Sequence, residues 1–297
     1  MTDRTLTAQS FSGRYSQAGF TLVELVVTIV IIGILVSLGG MFISQPIQSY
    51  IDLDRRTQLV GQADQALRRM QRDLRAALPN SVRVFNGGNG IEFLHVVDGG
   101  RYRVTSDPAE TDLTLVANSI LRFDVADDYF EVLGPLDTTE YTAANCLCAI
   151  YNLTADSGTN LCNAYAATNT AAIQAVETSG TRRFIRLATA TFFPLSSPQQ
   201  RFFVIDQAVS YVITGGQLRR YAGYTINQVP GPATGDNYDL VTTDLVTVVD
   251  AGGTPVDPFT YDPGTPSHSG LVTLRLALEQ EGERITLMHQ VHVNNAP

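Results

Sequence analysis

Apolar residues run almost unbroken over 20–43, with one carboxylate, Glu24, near the start. Such a run predicts a helix of about 36 Å, long enough to span a bilayer. A charge within hydrocarbon costs at least about 3 kcal/mol, so Glu24 points to a function that brings a partner. Beyond the run the pattern turns amphipathic. Val60, Ala63, Leu67, Met70, Leu74 and Ala77 recur at helical spacing, and Arg55, Arg56, Asp64, Arg68, Arg69, Arg72, Asp73 and Arg75 fill other positions. This predicts a second helical half over 46–79, stopped by Pro79 just after Leu78. A continuous helix over 20–78 would be a rod of about 90 Å. Gly39, Gly40 and Pro46 weaken it and predict a kink or local unwinding at 39–46, either a plain membrane-exit bend or a hinge.

From residue 80 the period changes to two. Strands are predicted at 81–85, 91–97, 101–105, 183–187, 202–206, 208–214 and 217–221. Turns are predicted at 86–90, 98–100 and 215–216. Residues 271–279 and 284–293 form a hairpin about a turn at 280–283. Val272, Leu274, Leu276 and Leu278 share one face with Ile285, Leu287, Val291 and Val293. An antiparallel sheet wrapped on the stripe of 47–78 would bury both apolar surfaces. Residues 134–180 and 225–268 read as long surface insertions. The expected fold is therefore α+β, a long N-terminal helix packed on an antiparallel β-sheet head (80–297) with long loop insertions.

Hydrophobic content of 44% against 16% charged describes a core-forming chain of 297 residues rather than a disordered one. The formal charge of −9 argues against non-specific nucleic-acid binding. Cys146, Cys148 and Cys162 cluster in one segment. Either Cys146 or Cys148 with Cys162 would close a loop of about 15 residues, adding about 3 kcal/mol; a three-thiol zinc site lacks a fourth ligand nearby. His289 and His292, three apart on a strand, point to opposite faces, which argues against a shared metal. His289 falls on the apolar face. Acidic clusters at 124–128 and 235–239 miss the EF-hand pattern and read as solvated surface. No nucleophile elbow, P-loop or HExxH motif is present, and nothing argues for an enzyme or a cofactor. The arginine run at 55–75 reads as a solvated face or as a surface for acidic patches on neighbouring subunits.

The N-terminal order is the reverse of a secretory signal peptide. Nineteen polar or small residues ending in Gly19 precede the apolar run, so cleavage after Gly19 would leave the hydrophobic segment on the mature chain. Arg4 and Arg14, against Asp3, favour a cytoplasmic leader by the positive-inside rule. An ordinary signal anchor would share the length and orientation but would not explain Glu24 or the Gly-Phe junction.

Gly19-Phe20-Thr21-Leu22-Val23-Glu24-Leu25, followed by an apolar helix with a proline near its exit, is similar to type IV pilins and type II secretion pseudopilins. Three further stretches resemble the MshO minor pilin-like family of mannose-sensitive haemagglutinin pilus biogenesis. They are Ala76-Ala77-Leu78-Pro79-Asn80-Ser81-Val82-Arg83, Arg201-Phe202-Phe203-Val204-Ile205-Asp206, and the tail from Tyr261-Asp262-Pro263-Gly264-Thr265-Pro266 to Gln290-Val291-His292-Val293. The resemblance implies a leader at 1–19, cleavage between Gly19 and Phe20, N-methylation of Phe20, and pairing of Glu24 with the terminal amine of an adjacent subunit. It implies a transmembrane or filament-core helix at 20–45 and an inner-membrane location with the leader cytoplasmic and the head periplasmic, or display in the surface pilus. Implied partners are a prepilin peptidase/methyltransferase, other minor pilins and the major pilin, the inner-membrane assembly platform, and the membrane itself. The implied role is initiation or tip of pilus assembly. The alternatives are a type II secretion minor pseudopilin of the J type and a filament-displayed adhesive or ligand-binding head.

Overall fold

The computed structural model describes residues 19–106, 119–136, 146–156, 161–264 and 269–297, apart from the side chains of 39–47. Residues 1–18 of the expected leader 1–19 lie outside the described residues. Two compact units divide the chain, one ending at Asp54 and the other formed by Arg55–Pro297. A single helix, α1 (Leu22–Arg75), contributes to both. It continues through Gly39, Gly40 and Pro46 without unwinding.

In the second unit α1 buries Leu59, Ala63, Ala66, Leu67, Met70 and Leu74. The stripe thus opens on Leu59; Val60, expected to open it, is 38% exposed. The helix ends at Arg75, before Leu78, because tertiary pairing takes over the backbone. Ala76 N and Ala77 N still donate to Asp73 O and Leu74 O, but Leu78 N donates to Leu94 O at 2.8 Å. Ala77 forms an isolated antiparallel bridge with His95.

Nine strands form the larger sheet: β1 (Arg83–Phe85), β2 (Gly90–Tyr102), β3 (Asp127–Leu133), β4 (Leu147–Ile150), β5 (Thr170–Ser179), β6 (Arg182–Thr191), β7 (Arg201–Thr214), β8 (Gln217–Tyr224) and β9 (Tyr238–Thr242). A smaller sheet holds β10 (Leu245–Val246), β11 (Phe259–Asp262), β12 (Gly270–Gln280) and β13 (Glu283–Val293), with β12 pairing the other three. The head therefore contains two antiparallel sheets where one was expected. Both turn apolar faces to α1: Ile91, Phe93, Val209, Tyr211 and Leu218 from one, and Phe259, Leu274, Leu276 and Val291 from the other, share a core with the helix stripe.

The larger sheet also closes on itself. Neighbour pairing runs β2–β3–β6–β5–β4–β7, and β7 pairs back to β2 over almost its whole length. The result is a six-stranded antiparallel barrel, which leaves no open edge along this ring. Its interior holds Tyr102, Phe130, Cys148, Ile150, Ile173, Ile185 and Phe202. Phe130 meets Phe202 edge-on, with ring centres 5.7 Å apart.

The barrel overturns two sequence expectations. Residues 134–180 are not merely a surface insertion, because β4 and β5 are barrel staves. Their alternation was hard to read because small Ala and Thr residues occupy much of β5. The expected turn at Asp98-Gly99-Gly100 lies instead inside β2, after irregularities in register between His95 and Asp98. The glycines permit close approach, not reversal. A Cβ on Gly99 would lie 2.9 Å from the Phe202 carbonyl oxygen, and one on Gly100 would lie 2.9 Å from the Phe202 ring. Within 225–268, β9, β10 and β11 likewise add sheet structure. The hairpin turns appeared as expected: Gly215-Gly216 links β7 and β8, and Glu281-Gly282, both at positive φ, link β12 and β13.

Candidate processing and assembly segment

Gly19, Phe20 and Thr21 precede the helix in irregular backbone. Phe20 is 74% exposed. A Cβ built on Gly19 would meet nothing within 4 Å, and the residue does not adopt positive φ. Among the described residues nothing in the fold gives a reason for a glycine at 19; a requirement imposed by a partner that reads the junction would.

Thr21 caps the helix. Its Oγ1 accepts from Glu24 N at 3.3 Å, and Thr21 O accepts from Leu25 N at 3.1 Å. Thr21-Leu22-Val23-Glu24 has the spacing of a capping box, a signal the sequence reading missed. Only half of the box forms. Among the described residues the Glu24 carboxylate makes no ion pair or hydrogen bond, while its place in the first turn suits the positive end of the helix dipole. No lysine or arginine occurs in residues 20–54. Cleavage after Gly19 would thus create the first cationic group of that stretch, the α-amine of Phe20.

The apolar side chains from Phe20 to Leu38, among them Leu22, Val23, Leu25, Ile29, Ile32 and Leu35, are exposed. They cover all sides of the helix. A helix that is apolar all round finds a stable place only in hydrocarbon or in an assembly of like helices. Among the described residues no helix is long and apolar enough to cross a membrane. The expected span continues past Leu38 into 39–43, whose side chains lie outside the described residues.

The arginine run of α1 is largely engaged within the head. Arg55 pairs with Glu281, Arg56 with Glu283 at 3.3 Å, Arg68 with Asp64 at 2.7 Å, and Arg69 with Asp239 at 2.9 Å. Arg72 and Arg75 remain exposed in the last turn, favourable to the helix dipole. Asp73 accepts from Tyr211 Oη and Arg220 Nε, each at 2.8 Å, and ties α1 to β7 and β8. His289 lies on the inner face of β13, 3.9 Å from Asp64, and His292 is exposed on the other face.

Cys146, Cys148 and Cys162 are buried free thiols, so the expected bond to Cys162 is not formed in this structure. Cys146 and Cys148 belong to the core of the barrel, whereas Cys162 sits in a turn at φ 50°. Burial pushes all three thiols up, Cys148 furthest. Asp127 in the first acidic cluster is structural, accepting from Arg122 N and Asp128 N at 3.0 Å each. Among the described residues no group of three His, Cys, Asp or Glu is placed to hold a metal.

Residues 14–39 match the family model for the prokaryotic N-terminal methylation motif. This is the signal of type IV pilins and pseudopilins; it supports a type IV pilin-like protein and implies processing by a prepilin peptidase in a membrane-anchored or pilus-associated setting. No curated protein and no solved structure matches the chain.

Proposed function

We propose that the chain is a minor pilin-like subunit that takes part in initiating, or sits at the tip of, a type IV pilus of the mannose-sensitive haemagglutinin type. The observation that carries this reading is the start of α1: a Gly19-Phe20 junction outside the helix, then a capped first turn whose carboxylate has no partner among the described residues, and an apolar surface on every side. Gly19 precedes the cut, and Phe20 becomes the methylated N-terminus. Glu24 then meets the terminal amine of a neighbouring subunit, where carboxylate and ammonium offset each other's desolvation. Residues 20–45 cross the inner membrane before assembly and enter the filament core after it, with the leader cytoplasmic and the head periplasmic. Gly39, Gly40 and Pro46 mark where the helix bends. Major and minor pilins and the inner-membrane assembly platform are the partners. The chain is structural and catalyses nothing.

The size of the head supports a minor rather than a bulk subunit. Covering the α1 stripe requires the sheet halves that share its core; the closed barrel lies beyond that need. A type II secretion minor pseudopilin of the J type would share the N-terminal chemistry, and neighbouring pilus or secretion genes separate the two.

Mass spectrometry of the protein isolated from membranes tests the reading. A mature N-terminus at methylated Phe20 is expected; retention of residues 1–19 overturns it. A clean deletion of the gene is expected to abolish or sharply reduce surface pili, and normal piliation would exclude the priming role.

A further inference from the structure

The sheet face turned away from α1 carries a buried ion pair that pins a surface loop. Strand register aligns Arg83, Glu92, Ser210, Tyr221 and Tyr238 in one row across β1, β2, β7, β8 and β9. Their strand neighbours Tyr211, Leu218 and Arg220 point the other way, toward α1. Arg83 and Glu92 bond each other, and their remaining atoms go to Tyr224 at the end of β8 and to the loop that follows it. Arg83 donates to the carbonyls of Asn227 and Gln228 at 2.9 Å and of Val229 at 3.3 Å. Glu92 Oε1 accepts from Tyr224 Oη at 2.5 Å and from Gly231 N at 3.2 Å. Gly231, at φ 92°, has no space for a side chain, since a Cβ there would lie 2.6 Å from the Phe85 ring. A buried ion pair is a poor source of stability compared with apolar side chains of like volume. Its presence here is explained by position: it fixes the loop backbone.

The fixed loop forms one wall of an open cleft of about 830 Å³, within the range of roughly 300–1,000 Å³ usual for small-molecule sites. The sheet forms the other wall. Tyr238 is 45% exposed, and its ring centre lies 5.5 Å from that of Tyr221. The Arg219 guanidinium lies 4.4 Å from the Tyr238 ring centre. Its Nε and Nη2 both donate to the neutral Gln217 Oε1, and among the described residues no carboxylate pairs with it. Asn86, Asn237, Thr214 and Thr234 bring exposed amide and hydroxyl groups, and Asp236 adds one carboxylate.

The lining selects the ligand class. One guanidinium against one carboxylate is too little positive charge for a nucleic-acid backbone. The cleft is open and polar, unlike the enclosed apolar pockets that hold lipids or hydrophobic cofactors. A peptide strand would gain more from the free backbone edge of β9 than from this face. An aromatic surface flanked by amides, hydroxyls and one charge of each sign instead fits a ring ligand with dense hydroxyls and a flat C–H face. We propose that the cleft between β8–β9 and loop 225–237 binds a neutral oligosaccharide. The site stands independently of any role in filament assembly.

The test uses the full-length protein in a detergent without a sugar headgroup, titrated calorimetrically with neutral tetrasaccharides of the gluco, galacto, manno and N-acetylglucosamine series. Saturable binding of at least one is expected, with Tyr238→Ala and Asn237→Ala each weakening it by about tenfold or more. Both positions are exposed, so the melting temperature should hold. Arg83→Met/Glu92→Leu, which frees the loop without leaving a buried charge, is expected to weaken binding while tryptic resistance of the head is kept. The absence of saturable binding to any of the four up to about 10 mM overturns the proposal. So does binding that Tyr238→Ala and Asn237→Ala leave unchanged.

Discussion

Arg83 Nε lies 2.5 Å from Glu92 Oε2, with 8% and 1% of the two side chains exposed. The Arg83 guanidinium also stacks 3.5 Å from the centre of the Tyr165 ring. Removing one charge strands the other in a dry site. Glu92→Gln should therefore destabilise the head by about 3–5 kcal/mol. The double change Arg83→Met/Glu92→Leu should cost much less, because neither charge is left behind. Urea unfolding of the three proteins measures both terms. Equal losses for single and double variants would mean that the pair itself stabilises the fold.

Glu24 behaves in the opposite way, because nothing among the described residues depends on its carboxylate. Thr21 Oγ1 takes its hydrogen bond from the main-chain N of residue 24, which Glu24→Gln retains. The loss of a favourable helix-dipole contact is about 0.3–1 kcal/mol and confined to the first turn. The variant should be processed at Gly19 and keep the melting temperature of its head. Its recovery in sheared surface filaments should nevertheless fall severely. Incorporation at the wild-type level would remove the proposed pairing with a neighbouring amine.

The composition offers an independent chemical reading of the mature end. The chain contains no lysine, so its α-amine is the sole primary amine it can present. Reductive methylation with deuterated formaldehyde adds two labelled methyl groups to an unmodified amine and one to an amine already carrying a methyl. Processed protein should take up one label, on Phe20. Two labels on Phe20 would show cleavage without methylation, and two on Met1 would show neither.

The helix and the hairpins were legible because one residue pattern decided each of them. The periodicity from Ala63 to Leu74 marks a buried helix face, and Gly215-Gly216 and Glu281-Gly282 mark reversals between strands that are both in place. The barrel was not legible. Its closure rests on two residue pairs between β2 and β3, Arg101 with Leu133 and Tyr102 with Val132, about thirty positions apart in sequence. No local period reports a contact of that kind. The cleft was hidden for the same reason, since Tyr238 joins the row of Arg83 and Glu92 only through β7 and β8 in register. The N-terminal methylation motif was legible, because consecutive residues carry it, whereas the Thr21 cap within it was not recognised.

Gly100 shows how a local signal misleads. Its glycine pair with Gly99 reads as a turn, but the position requires an absent side chain inside a strand. Gly100→Ala would place a Cβ 2.9 Å from the Phe202 ring and 3.3 Å from Val132 Cγ1. Phe202 is fully buried and packed edge-on against Phe130, so its ring has little room to yield. The expected cost is about 1–3 kcal/mol of overpacking. Gly282→Ala, in open space at the β12–β13 turn, is the informative control. Its cost comes only from positive φ, and it should leave the near-ultraviolet signal of the barrel aromatics unchanged. Gly100→Ala should alter that signal.

His95 supplies a pH dependence with a definite sign. Its Nδ1–H donates to Asp206 Oδ1 at 2.8 Å, across the β2–β7 ladder beside the register irregularity. That hydrogen bond raises the His95 pKa above its ordinary value of 6.5; burial works against it, while the Asp206 charge and the more distant Asp73 support it and Arg220 opposes it. A histidine raised in the folded state binds its proton more tightly there than in the unfolded chain. Its stabilisation is therefore complete below the unfolded pKa and disappears as pH rises through the folded one. The wild-type head should lose stability between about pH 6 and the folded pKa, relative to Asp206→Asn, which lacks the carboxylate. Proton NMR of the imidazole should place the wild-type midpoint above 6.5 and the variant midpoint lower. Coincident midpoints, or a stability difference that grows with rising pH, would show that the His95–Asp206 contact does not carry the charge in solution.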